Sequence, residues 1–159
     1  MHFSRIAKLA IAALALALVP QAYSTPLSYG TYYEDITIAI CGSQYGGCRL
    51  NFGQTPADKL VKIRHIHCNF NSSTTVNSAT LYIAATSGGS SLSRELPLQF
   101  FPSQPGTSAQ NDGYYRYTVS METEFIIGQG RFPYVSFFTN TSGQTSMTCA
   151  ITGEPVNPV

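Results

Sequence analysis

Residues 114–125, YYRYTVSMETEF, alternate between two kinds of side chain along their whole length. In an extended strand, successive side chains point to opposite faces of the sheet. One face of this strand would carry Tyr115, Tyr117, Val119 and Met121, and the other Arg116, Thr118, Ser120, Glu122 and Glu124. A strand with an apolar and a polar face is typical of an antiparallel sheet that packs on one side and meets water on the other.

Shorter runs with the same period recur along the chain, whereas helical periodicity is absent after the first 24 residues. The runs are 36–41, 60–70, 79–85, 96–101, 132–139 and 147–152, with a short extra one at 48–52. Segments rich in Gly, Pro, Ser and Asn separate them, above all 86–91 and 101–113. Seven or eight short strands predict an all-β, two-sheet antiparallel β-sandwich with Greek-key or jelly-roll connections.

The first 24 residues have the layout of a secretory signal peptide. Arg5 and Lys8 precede an apolar run at 9–19, and small residues at Ala22 and Ser24 form a cleavage site. We expect cleavage after Ser24, which leaves 25–159 as a single β-sandwich domain without a membrane anchor. The protein is therefore expected to be secreted or periplasmic, and its proline-containing end, 154–159, is expected to fray.

Charge and motif content exclude several classes of function. The whole chain has nine basic and eight acidic residues, and the basic ones do not cluster. Nucleic-acid binding requires clustered Lys and Arg to neutralise phosphates, so we expect no nucleic-acid partner. Phosphate-binding and dinucleotide-binding motifs are also missing, and the sequence predicts no cofactor.

Four cysteines, an even number in a chain with an export signal, predict two disulfide bonds. Three pairings are possible. The glycines of CGSQYGGC let Cys41 reach Cys48, which leaves Cys68 for Cys149. A zinc site made of cysteines and a histidine is the alternative, but the spacing of Cys41 and Cys48 does not fit a zinc knuckle.

The segment RHIHC, 64–68, raises the possibility of a metal site. If Cys68 points inward, His65 and His67 share the outer face of one strand at a spacing that can chelate zinc or copper. A catalytic zinc needs a third protein ligand, which would have to be a carboxylate from elsewhere in the fold. The competing interpretation is that both histidines are half-exposed strand residues.

Two further candidates are a carboxylate pair and a tyrosine surface. Glu122 and Glu124 share a strand face, as paired carboxylates do in some jelly-roll glycosidases, although solvated strand-face glutamates are the favoured interpretation. Exposed tyrosine rings near strand ends can stack on sugars or pack on proteins, and the candidates are Tyr32, Tyr33, Tyr114 and Tyr115.

The sequence as a whole favours a small exported, non-enzymatic β-sandwich with a binding or structural role. Its partner would be a protein or a glycan. Alternatives are a metal-binding protein that uses His65 and His67, and a minimal glycan hydrolase. Sequons at Asn71 and Asn140 could accept glycans in a eukaryote.

Overall fold

The computed structural model describes residues 25–42, 47–99 and 113–158, which form strands and turns and no helix. The expected signal peptide at 1–24 and most of the predicted loop at 101–113 lie outside these ranges. Within them, no helix is long and apolar enough to span a membrane. The strands are β1 Leu27–Tyr29, β2 Tyr32–Cys41, β3 Cys48–Asn51, β4 Leu60–Ser72, β5 Val76–Ala84, β6 Ser91–Leu98, β7 Tyr115–Ile127, β8 Phe132–Thr139 and β9 Thr145–Val156.

The strands form two antiparallel sheets with the connectivity of a jelly roll. One sheet has five strands in the order β1-β2-β9-β4-β7, and the other has four in the order β3-β8-β5-β6. The hydrogen-bonded pairs β2–β9, β3–β8, β4–β7 and β5–β6 are those of one long hairpin folded over on itself. The predicted all-β sandwich is confirmed.

The core lies between the inner faces of the two sheets. Alternation places Ile66, Cys68 and Phe70 of β4 inward, as the sequence predicts. Phe70 meets Phe137 of β8 edge to face across the sandwich, with ring centroids 5.5 Å apart. The remaining fully buried large side chains include Leu50, Phe52, Ile63, Leu81, Ile127, Met147 and Ile151.

Two disulfide bonds link strands, in the pairing that the sequence favours. Cys41–Cys48 joins β2 of the five-stranded sheet to β3 of the four-stranded sheet. Cys68–Cys149 joins directly opposed residues of β4 and β9, both fully buried. All four cysteines are therefore oxidised, which indicates an oxidising, extracytoplasmic environment.

The structure corrects three details of the strand pattern. β1 was not predicted, and β6 begins five residues earlier than expected. The predicted frayed end is wrong for its first three residues, because β9 continues to Val156 alongside β4. Pro155 is tolerated there because β2 ends its pairing at Gly153, so β9 has a free side at this point.

A β-bulge in β4 changes which side chains reach the outer face. The register with β7 and β9 shifts between Ile63 and His65, and Ile63 and Ile66 both remain buried. Arg64 and His65 therefore both lie toward the outer side. Gly153 of β9 sits opposite Ile63, where a Cβ atom would collide with the carbonyl of Lys62.

Candidate functional site on the outer face of the five-stranded sheet

The outer face of the five-stranded sheet is a flat array of side chains from β2, β9, β4 and β7. Neighbouring strands are roughly 4.8 Å apart, and same-face residues along one strand are roughly 7 Å apart. The strand registers give four cross-strand rows, which are Ile40–Ser146–Asn71–Arg116, Ile38–Thr148–Asn69–Thr118, Ile36–Ala150–His67–Ser120 and Glu34–Thr152–His65–Glu122.

His65 and His67 lie in adjacent rows of this array, as predicted. Their rings are nearly parallel, with centroids 6.5 Å apart. His65 Nε2 is 3.0 Å from Ser120 Oγ, and His67 Nε2 is 3.2 Å from Asn69 Nδ2. Zinc bound by both rings would need one nitrogen of each at about 2.1 Å, whereas here the two Nε2 atoms contact Ser120 and Asn69. Among the described residues, no group of three or more His, Cys, Asp and Glu side chains is placed to hold a metal ion.

Glu122 and Glu124 also lie on the outer face, in a depression shared with His65. Glu124 forms ion pairs with Lys62, at 3.3 Å, and with Arg64. The hydrogen bond from Lys62, followed by its charge and the contacts of Arg64, lowers the pKa of Glu124 below its ordinary value. A general acid in a glycosidase needs a raised pKa, so Glu124 has the opposite tuning.

The four candidate tyrosines do not form one surface. Tyr32 is partly exposed, but Tyr33 is fully buried because the alternation of β2 turns it into the core. Tyr33 therefore offers no surface to a ligand, which corrects that part of the expectation. Tyr114 and Tyr115 are half-buried at the start of β7, and the Tyr114 hydroxyl donates a hydrogen bond to Gln144.

An apolar surface that the sequence analysis missed lies along β1 and β2. Six of the eight large apolar residues exposed among the described residues belong to these two strands, so the exposed apolar surface is concentrated in one place. The three isoleucines of β2 increase in exposure toward its end, at 55%, 66% and 73%. We call this surface the apolar edge; its members are Leu27, Tyr29, Tyr32, Ile36, Ile38 and Ile40.

The apolar edge coincides with an unpaired backbone edge. β1 covers only residues 32–34 of β2, and no other described strand pairs with 35–41 on that side. The turn between β1 and β2 has two residues, with Gly30 at φ 61°. Residues that flank such a turn form a hydrogen-bonded pair, so the N–H and C=O of Tyr32 point toward β1. Every second residue points the same way, which leaves open backbone groups on Ile36, Ile38 and Ile40.

The other sheet edges carry features that block strand addition. β3 has four residues, and β6 carries Arg94, Glu95 and Pro97. β7 carries charged residues on its outer face. Charges, prolines and short length are the usual protections of an edge strand. Residues 36–40, ITIAI, have none of them.

The inward position of Cys41 is the signal that could have revealed this surface. Once Cys41 bonds Cys48 between the sheets, alternation sends Thr37 and Ala39 inward and the isoleucines outward. Large apolar residues are usually expected to lie inside, and that expectation would place the three isoleucines in the core.

No model of a protein family, no curated protein and no solved structure matches this chain.

Proposed function

We propose that this protein is a non-enzymatic binding module that takes up a strand of a protein partner along the open edge of β2. The single observation that carries this proposal is the coincidence of open backbone groups and exposed isoleucines at Ile36, Ile38 and Ile40. The backbone groups supply hydrogen bonds to an incoming strand, and the side chains supply apolar contact on one face. Strand addition to an exposed edge is a common mode of peptide recognition.

A protein partner fits this surface better than a glycan does. Sugar-binding surfaces use aromatic rings as stacking platforms. The two tyrosines of the apolar edge, Tyr29 and Tyr32, flank the β1–β2 turn, whereas the open segment of β2 presents only aliphatic side chains. A row of backbone N–H and C=O groups at strand spacing matches another polypeptide backbone. An exposed apolar patch of this kind marks an interaction site.

The setting of this binding is outside the cytoplasm. The expected signal peptide at 1–24 would direct export, and the disulfides Cys41–Cys48 and Cys68–Cys149 are stable in an oxidising compartment. We propose that the mature domain is secreted or periplasmic.

Site-specific photo-crosslinking in the cells that produce the protein tests the proposal. A photoreactive amino acid at position 38 should give covalent adducts with protein, identified by mass spectrometry. The matched control is position 95, which is exposed on the edge strand β6 but lies next to charge and proline. Adducts at position 38 and none at position 95 support the proposal. Equal labelling at both positions, or none at position 38, overturns it.

A further inference from the structure

We infer that a second copy of this chain occupies the open edge, with the two β2 strands pairing antiparallel about a two-fold axis at Ile38. This inference rests on the proposed function and names its partner. The product would be one continuous sheet of ten strands, five from each copy. Most homo-oligomers are symmetric dimers in which the same surface meets itself.

The length of the open edge sets the register. β1 occupies the positions opposite 32–34, and β2 ends at Cys41, so the open segment is 35–41. Its central residue is Ile38. In a symmetric antiparallel pair centred there, Ile38 faces Ile38 and Ile36 faces Ile40 of the second copy. A register centred closer to β1 would place Ile40 opposite Glu34, which β1 already covers.

The backbone groups match in this register. Ile36, Ile38 and Ile40 each present one N–H and one C=O to the open side, as the hairpin with β1 requires. Facing residues of this kind exchange two hydrogen bonds, so three facing pairs would use every open donor and acceptor of 36–40 in both copies.

The side chains also match. Directly opposite residues lie on the same face, so six isoleucines would form one ladder on the outer face. Residues 36–40 contain no charge, so no like charges face each other across the pair. Leu27, which lies opposite Glu34, would come next to Ile40 of the second copy and extend the apolar contact.

The chain leaves room at both ends of the proposed pair. β2 ends at Cys41, where the disulfide to Cys48 takes the chain toward the other sheet. The pairing of β1 with β2 ends at Leu27, opposite Glu34, so the ladder between these two strands does not reach 36–40. β1 and the second copy would therefore pair with different residues of β2.

Disulfide trapping tests the register. Ile38→Cys alone should give a covalent dimer on mild oxidation, with the 38–38 link shown by peptide mapping. Facing Cα atoms in such a pair are roughly 5.5 Å apart, within disulfide range. Ile36→Cys or Ile40→Cys alone should not crosslink, because each faces the other position, whereas a mixture of these two variants should give 36–40 links. Links at 36–36 or 40–40, or no link at 38, overturn the inference.

Sedimentation of the mature domain tests the association without new cysteines. Strand pairing with partly exposed isoleucines buries a small interface, so we expect a monomer at about 1 µM and a dimer approached near about 1 mM. Ile38→Lys should keep the protein monomeric over this range. The control, Leu92→Lys, changes an exposed apolar residue of β6 and should leave dimerisation unchanged within twofold.

The two proposals fail in different ways. Wild-type protein that stays monomeric at every concentration overturns the second copy as partner, and crosslinks from position 38 to another protein would then leave the proposed function standing. Assemblies larger than a dimer also overturn the two-fold pair. Dimers that Leu92→Lys abolishes and Ile38→Lys preserves would place the contact on β6 and overturn the inference.

Discussion

Tyr33 brings a hydroxyl into the core close to a second buried polar residue. Its oxygen has no hydrogen-bond partner among the described residues, and its side chain is fully buried. Burial, followed by the negative charge of Asp35, raises the pKa of the Tyr33 phenol above its ordinary value of 10.0. Asp35 itself accepts a hydrogen bond of 2.7 Å from the Gly53 amide, which ties β2 to the segment after β3.

Tyr33→Phe should therefore change the free energy of unfolding little at neutral pH. At alkaline pH it should remove the loss of stability that follows from deprotonation of the Tyr33 phenol in the unfolded state. The lost hydroxyl makes no hydrogen bond, so we expect a change within about 1 kcal/mol at pH 7. Above pH 10 the unfolded wild type loses the phenol proton and the folded protein keeps it, so folding becomes less favourable as pH rises. Urea unfolding at pH 7 and pH 11 measures the difference. The wild type should lose more stability than Tyr33→Phe between these values; equal losses would contradict the assignment.

Gly153→Ala should destabilise the fold by more than about 2 kcal/mol, because the new methyl group would collide with the carbonyl of Lys62 beside the β4 bulge. Thermal unfolding measures the loss. Gly42→Ala is the matched control, since a Cβ atom at Gly42 meets nothing within 4 Å. Similar melting temperatures for both variants would show that the bulge adapts easily.

The histidine pair should bind zinc weakly. Two half-buried imidazoles without a third ligand are a poor site. A Kd near about 1 mM with about 100 µM zinc would add less than about 0.1 kcal/mol to the free energy of unfolding. Thermal melts with zinc and with chelator should therefore coincide. A chelator-sensitive melt that His65→Ala and His67→Ala abolish would instead establish a metal site.

At the scale of the strands, the two disulfides should differ in their contribution to stability. They close segments with sequence separations of 7 and 81. In the chain-entropy model these contribute about 2.4 and about 4.5 kcal/mol. Replacing Cys68 and Cys149 by Ala should therefore cost more than replacing Cys41 and Cys48, with an added penalty for the buried side chains. Chemical unfolding of the two double variants measures the order; the reverse order would contradict the model.

Strand β2 shows where sequence reasoning succeeds and where it stops. Its last six residues were predicted as a strand because they alternate and end at a cysteine. Alternation alone does not say which face is inner, and Ile36, Ile38 and Ile40 lie outward because Cys41 is held between the sheets. β1 has three residues and one turn, too short for a periodic signal. Its position decides which part of the edge is open.

The candidate site was also only partly predictable from the sequence. The shared outer face of His65 and His67 was predictable from Cys68, because a buried cysteine fixes the phase of β4. The bulge beside Ile63 and the ion pairs of Glu124 were not, since both depend on residues distant in sequence.

At the scale of the whole molecule, the charge and the proline on the edge of β6 predict which substitutions would change the size of the assembly. Glu95→Ile with Pro97→Val removes a charge and restores a backbone N–H on an edge strand. A domain with two open edges should form extended assemblies at high concentration, measured by light scattering. The same pair of substitutions combined with Ile38→Lys is the control and should stop at small species. No increase in scattering would show that β6 is blocked by something other than these two residues.

The edges of β3, β6 and β7 carry features that block strand addition, and this has a counterpart in polymer chemistry. A monomer with two reactive ends grows into a chain, whereas a monomer with one reactive end couples once and stops. Among the described strands, β2 alone has an open edge without such protection, so the jelly roll corresponds to a monomer with one reactive end, and in its dimer that edge is already used. Assembly therefore stops at the dimer. Raising the concentration converts more monomers to dimers and produces no longer assemblies.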